Sequence, residues 1–253
     1  MIDQYPQDAS SYGVKVARGT IGGAQPFGAF GEATPTGATT DNVIWANGAF
    51  VNPPAAGIQL SLVSASANDT AAGTGIRTIE IQYLDANLAE QTEIVTLNGV
   101  GAVTTVATNI RFVNGFHMKT YGSGKSAAGI ITASNGGVTY AQINATKTRA
   151  ACSARMVPAG KKLFIDSLFA GSTSGSSAAK VTVQICASKL GSIDYTADSI
   201  FIPYGSASYQ DNSAGLNVSA PLVFNAGTAV AMLYTTDKAA TITASWFGWL
   251  ENA

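Results

Sequence analysis

From Ile58 onward the chain alternates apolar and polar residues with a period of two. In "RTIEIQYL", Ile79, Ile81 and Tyr83 fall on one side while Thr78, Glu80 and Gln82 fall on the other, which is the pattern of a half-buried strand. "LDANL" follows as a turn, since Asp and Asn side chains bond their own backbone. "TEIVTLNG" then returns as a second strand closed by Asn98-Gly99, so the spacing predicts a hairpin. "VTTVATNIRFVNGFHMKT" predicts one or two more strands, with Asn114-Gly115 as a further turn. A second series begins near Arg155, with a strand over residues 162–169 after Pro158-Ala159-Gly160. "AAKVTVQICAS" sends Val181, Val183, Ile185 and Ala187 one way and Lys180, Thr182, Gln184 and Cys186 the other. Three closing strands are separated by Asn225-Ala226-Gly227 and Thr236-Asp237-Lys238. Short strands with frequent turns predict an all-β fold, a β-sandwich or jelly roll, in two packed β domains over residues 51–147 and 148–253. The stretch "INATKTRAACS" is the expected boundary.

The first 50 residues break this rhythm with glycines and predict little beyond a short strand over residues 14–16. Phe27, Phe30 and Trp45 are their apolar anchors. Two readings stand side by side: an extended arm docked on something else, or an ordinary first strand and loop of the same domain.

Composition sharpens the β reading. Only 11% of the 253 residues are Asp, Glu, Lys or Arg, against about 25% in ordinary soluble domains. Exposed helix faces are built from such side chains, and this chain has little material for them. Its net charge of -1 is scattered, which argues against nucleic acid, a partner that demands a clustered basic field. The start, "MIDQYPQDAS", lacks the basic and apolar regions of a secretory signal, and no apolar run reaches the roughly 20 residues that span a bilayer. Cys152 and Cys186 are too few for a disulfide scaffold and are expected as free thiols, fitting synthesis in a bacterial-type cytoplasm.

Motifs of chemistry fail one after another. "TYGSGKSAAGI" contains Gly124-Lys125-Ser126, the end of a phosphate-binding loop, but the leading glycine of that motif would fall where Lys119 stands. The residues that follow read as a strand, so no helix N-terminus would face a phosphate. His117 is the sole histidine and no nucleophile elbow exists. One His and two separated Cys cannot make a zinc site, and Asp194, Asp198 and Asp211 are too dispersed to signal calcium. Glu80 and Glu93 are candidates for a glycosidase pair across the hairpin, yet both fall on outward positions among Thr and Gln. The expectation is therefore no enzyme: no catalytic residue, no cofactor and no metal. Aromatic residues supply the remaining candidates. Tyr195, Tyr204 and Tyr209 lie in one long loop, with two readings side by side: stacking on a glycan, or packing across the sandwich. Trp246, Phe247 and Trp249 close the chain, with Trp246 on one face of its strand and the other two on the opposite face. A strand apolar on both faces is covered on both, by its own core and by a neighbouring subunit, a covering loop or the N-terminal arm, and together with Phe27, Phe30 and Trp45 these residues are the interface candidates.

The segment "TAAGTGIRTIEIQYLDANLAEQTEIVTLNGVGAVTTVATNIRFVNGFHM", with "VPAGKKLFI" and "SWFGWLEN" later, resembles virion structural proteins of tailed bacteriophages, podovirus-like phages in particular. The shared form is T-G-x-R, then L-D-A-N, then V-T-L-N-G, over roughly residues 58–253. After the N-G turn, where those proteins carry Arg or Tyr, this chain has "FHMKTYGSGKS". The resemblance implies a virion protein assembled in the host cytoplasm: a capsid decoration or cement protein, a homotrimer in contact with partners such as the major capsid protein. The alternative it implies is a tail or receptor-binding component touching host surface glycans. A free carbohydrate-binding module is a third class.

Overall fold

A computed structural model describes residues 12–48, 51–174, 179–190, 193 and 213–253, with the side chains of 174 and 213–220 left aside. Apart from one short helix, α1 (Tyr12–Ala17), its regular elements are all strands, and the pairings between them among the described residues are antiparallel. The fold is an all-β sandwich.

Strands β1 (Gln25–Ala33), β15 (Ala240–Asn252), β11 (Lys161–Ser174) and β13 (Ser213–Asn225) form an outer sheet in that order. Beneath it lies a middle sheet of β10 (Arg155–Met156), β14 (Thr228–Thr236) and β12 (Val181–Lys189), with β2 (Thr39–Val43) also paired to β14. The core between them takes alternate residues from both sheets: Val181, Val183 and Ile185, then Val230 and Met232, against Leu163, Ile165, Ile242 and Trp246. Trp246 has no exposed surface, and its indole N–H donates to the Ser153 carbonyl at 2.9 Å. The early residues thus give one strand to each sheet. The segment 151–153 seals the seam between them: Cys152 bridges both Phe30 and Trp45, and Ser153 bonds Met232 through its hydroxyl. Gly31 is required there, since a Cβ would meet the Ile44 carbonyl oxygen at 2.2 Å.

The residues between form a second packed unit. β6 (Val103–Thr104), β3 (Ser61–Ser64), β8 (Ile131–Asn135) and β9 (Val138–Ile143) make one sheet, while β5 (Glu90–Thr96), β4 (Ile76–Leu84) and β7 (Phe112–Tyr121) make another. Leu62, Ile76, Ile79, Ile81, Phe116, Ile131 and Ile143 close its core. A third cluster joins the unit to the sandwich: Leu84 and Phe112 pack against Ala229, Ala231 and Leu233 on the far side of β14. β14 is consequently buried on both faces, and its near-continuous apolar run "AVAMLY" reflects that position.

Two expected elements are corrected. Residues 14–16 belong to a helix, because Tyr12 and Val16 share a face at a spacing of four: Val16 is buried while Tyr12 lies on Trp249. Asn114-Gly115 makes no turn but sits inside β7 at a shift of register opposite Gln82 and Tyr83. The Asn114 amide donates to the Met156 carbonyl and accepts from the Met156 N–H, both at 2.9 Å, imitating a strand neighbour.

Candidate functional site

The glycine-rich stretch does hold an anion, but it is the chain's own. Asp69 is fully buried, and its carboxylate accepts from the N–H groups of Ala128 and Gly129 at 3.0 Å, from Ile76 N–H at 2.7 Å and from the Ser64 hydroxyl at 2.6 Å. Gly75 leaves room for it, since a Cβ there would stand 2.1 Å from the carboxylate. Lys125 and Ser126 take no part; the Ser126 hydroxyl bonds the Gly124 carbonyl. The stretch is thus a structural clasp between two loops.

Glu80 and Glu93 are not a pair. The β4–β5 register sets Glu80 opposite Ile94 and Glu93 opposite Ile81, and directly opposed residues share a face, so the two acids lie on opposite sides of the sheet. The expected outward placement of Glu93 is corrected: its carboxylate caps the N–H groups of Val106 and Ala107 at 2.6 and 3.0 Å. Glu80 does face outward, held by Lys119 at 2.5 Å and His117 at 3.2 Å. The Lys119 ammonium draws its carboxyl below the usual carboxylate range, against a smaller opposing effect of burial. His117 is thereby accounted for as a neighbour of Glu80 in a polar cluster shared by β4 and β7. No group of three His, Cys, Asp or Glu among the described residues is placed to hold a metal. No disulfide joins Cys152 and Cys186, and burial pushes the Cys152 thiol up. A hollow of about 40 Å³ beside Trp45, Leu60 and Tyr140 is room for one or two waters.

The aromatic candidates separate by position. Trp45 and Trp246 are core residues, and Phe27 packs on Trp246 with ring centres 5.8 Å apart. Trp249 points outward from β15 but is covered by Tyr12 of α1 at 5.2 Å and stacked on Phe164 at 5.7 Å. Phe30 and Phe247 remain open to solvent, 43% and 52% exposed. Tyr195, Tyr204 and Tyr209 lie outside the described residues.

Around Phe30 and Phe247 the outer surface of the outer sheet is laid out in three rows. Pro26, Trp249, Phe164 and Val223 form the first, Gly28, Phe247 and Ser167 the second, Phe30, Ser245 and Phe169 the third. Phe169 touches Phe247 edge-on at 6.2 Å. Phe169 and Val223 are about half exposed and were not among the residues expected to matter. A signal for Phe169 existed. Buried residues in β11 run Leu163, Ile165, then Leu168, and that change of parity marks a bulge at Asp166 which turns Phe169 outward.

No helix among the described residues is long and apolar enough to cross a membrane. No family model matches the chain, and no curated protein matches it. Among solved structures it aligns with the infectious bursal disease virus Gx strain at 9% identity, over 89% of this chain and 70% of that one, with a TM-score of 0.22. It also aligns with the VP2 subviral particle of infectious bursal disease virus at 10% identity, over 90% and 76% of the two chains, with a TM-score of 0.21.

Proposed function

We propose that this chain is a structural protein of a bacteriophage particle, a decoration or cement protein that binds the shell and copies of itself. One observation carries the reading: the outer sheet presents Phe30, Phe169, Val223 and Phe247 to solvent on one face, in rows shared with Gly28, Ser167 and Ser245 and with the covered Trp249. A cluster of half-exposed aromatic residues on a sheet face is the surface of a protein that works by contact. The resemblance of the hairpin and closing strands to tailed-phage virion proteins supports the same reading, as does a site chemistry in which each described acid of the β4–β5 hairpin is engaged structurally. Repetition over many copies would let contacts of modest size hold firmly.

The test is direct. Antibody raised against the chain should label intact tailed-phage particles over the shell, with copies per particle set by the shell symmetry when counted by quantitative mass spectrometry. Label confined to a tail tip, or particles free of the protein, would overturn the proposal. Phe169→Asp and Phe247→Asp should each release the protein from shells while leaving its fold intact by circular dichroism.

A further inference from the structure

Between the free edge of β1 and the three-stranded sheet lies a cleft of about 760 Å³, lined among others by Gly28, Gln82, Gln91, His117, Arg149 and Arg155. It continues past β1 into a second hollow of about 680 Å³, reaching α1 and Asp166, and Pro26, Phe27, Gly28, Arg149 and Arg155 line both. Two features of this cleft leave binding capacity that the fold does not use.

The first is charge. Arg155 is half-buried, and one of its terminal nitrogens donates to the carbonyls of Cys152 and Ala154 at 3.1 and 2.7 Å. Those bonds fix the guanidinium but supply no counter-charge. Among the described residues neither Arg155 nor Arg149 has a carboxylate within ion-pair distance. The acids along the cleft are otherwise engaged: Glu90 accepts from the Gln25 amide at 3.3 Å, and Asp166 accepts from the Ser167 hydroxyl at 3.0 Å. Burial pulls the Arg155 guanidinium below its ordinary value, with Cys152 acting in the opposite direction. A partly buried charge left unpaired is costly, and chains rarely keep one without a use.

The second is backbone. Glu32 N–H points away from β15, toward the Ala151 carbonyl, so β1 residues of even number turn their main-chain groups to the free edge. Phe30 meets Cys152 on that side, but Gly28 opens into the cleft, its N–H and C=O without a main-chain partner among the described residues. Pro26 has no N–H to offer, which shortens the edge available to a self-pairing strand.

We propose that this cleft binds an extended acidic peptide, a segment of a partner chain that pairs with the Gly28 backbone and sets a carboxylate on Arg149 and Arg155. An added strand draws affinity from main-chain hydrogen bonds and specificity from the side chains beside it. The arginine fork supplies that specificity here, since its parallel N–H groups match a carboxylate. The inference does not rest on the virion reading: either can fail while the other stands.

The probe is fluorescently labelled, end-capped hexaglutamate, followed by anisotropy at low salt with ¹⁵N spectra of the full chain. Hexaglutamate should bind and shift the Gly28 amide, whereas hexaglutamine should not bind. Arg155→Gln should weaken binding at least tenfold. Arg149→Gln, at an exposed side chain that cannot compromise folding, should weaken it at least threefold, and Lys125→Gln on a distant loop should leave it unchanged. Equal loss in Lys125→Gln, or no loss in either arginine variant, would overturn the proposal by reducing it to diffuse charge. Complete displacement of the peptide by millimolar inorganic phosphate, with the same Gly28 shift, would overturn it in favour of a small-oxyanion site.

Discussion

The sandwich has two outward surfaces, and the chain treats them differently. On the middle sheet, Ala229, Ala231 and Leu233 of β14 are covered by Leu84 and Phe112 of the neighbouring unit, which leaves them almost no exposed area. On the outer sheet only Trp249 is covered, by Tyr12, while Phe30, Phe169, Val223 and Phe247 stay open. Both surfaces are apolar in sequence. The difference is whether this chain or another molecule supplies the lid. Burial of apolar area contributes roughly 25 cal/mol per Å² wherever the covering atoms come from, so a lid formed by the same chain appears as folding stability and a lid formed by a partner appears as affinity.

The sharpest break of that comparison places one charge on each surface. Leu233→Asp should cost about 4 kcal/mol or more, because it buries an unpaired carboxylate under the covering unit. Phe247→Asp should cost under about 1 kcal/mol in the isolated chain. Denaturant titration of both variants measures the contrast. Similar losses would mean that the outer sheet is already covered within the chain.

Removing the lid tests the covered side from above. Leu84 is fully buried in the joining cluster, and Leu84→Ala should cost about 3 kcal/mol through lost burial and a residual cavity. The reporter is Cys186, 2% exposed and in the same cluster. Native-state alkylation with iodoacetamide should proceed at least tenfold faster in the variant. An unchanged rate would mean that the unit lies against the sandwich without sealing it.

How legible was this arrangement? The β4–β5 hairpin, the two faces of β12 and the turns before β14 and β15 follow from alternation and turn residues alone, because each is decided by neighbours a few positions away. What alternation cannot supply is the partner of a strand. The odd residues of β12 read clearly as core, but nothing in "TTDNV" announces that Val43 will pair with Leu233 on a strand 190 residues later. Bulges are equally hidden: Asn114-Gly115 has turn chemistry, and long-range bonds to Met156 together with pairing to β4 keep it in a strand. For the candidate site, alternation set Phe247 on the face of its strand opposite Trp246 and composition marked Phe30 only as an apolar anchor, whereas Phe169 needed the parity shift at Asp166. Arg149 and Arg155 carried no signal, because sparse charge shows that cations are few, not which lack partners.

The half-covered end of the outer sheet offers a milder test. Trp249 lies between Tyr12 and Phe164, so Trp249→Ala should cost about 2 kcal/mol, less than a fully enclosed tryptophan, since α1 can detach and leave no cavity. Detachment is read by limited trypsin digestion: cleavage after Lys15 and Arg18 should accelerate severalfold while the rest of the chain resists. A uniform increase along the chain would mean that Trp249 serves the whole sheet and not the helix above it.

A third surface, the outward face of the three-stranded sheet, shows the ordinary alternative to aromatic rows. There Glu80 meets Lys119 and His117, and water and charge do the covering. The Glu80 carboxyl is drawn below its usual range chiefly by the hydrogen bond from Lys119. A carboxylate with a lowered folded-state value binds fewer protons folded than unfolded, so its contribution is present above the unfolded value of about 4.3 and is lost as pH falls through the folded one. The stability gap between the native chain and Glu80→Gln should therefore be small at pH 7, shrink below about pH 4 and close in stronger acid. Added salt should narrow it at pH 7 as well, since the cluster is partly exposed to screening. A gap that widened with acid would reverse the assignment and mean that Glu80 is held protonated in the fold. Neither Phe247→Asp nor Leu233→Asp should share this pH profile in sign, because a new carboxylate in an apolar setting is relieved by acid.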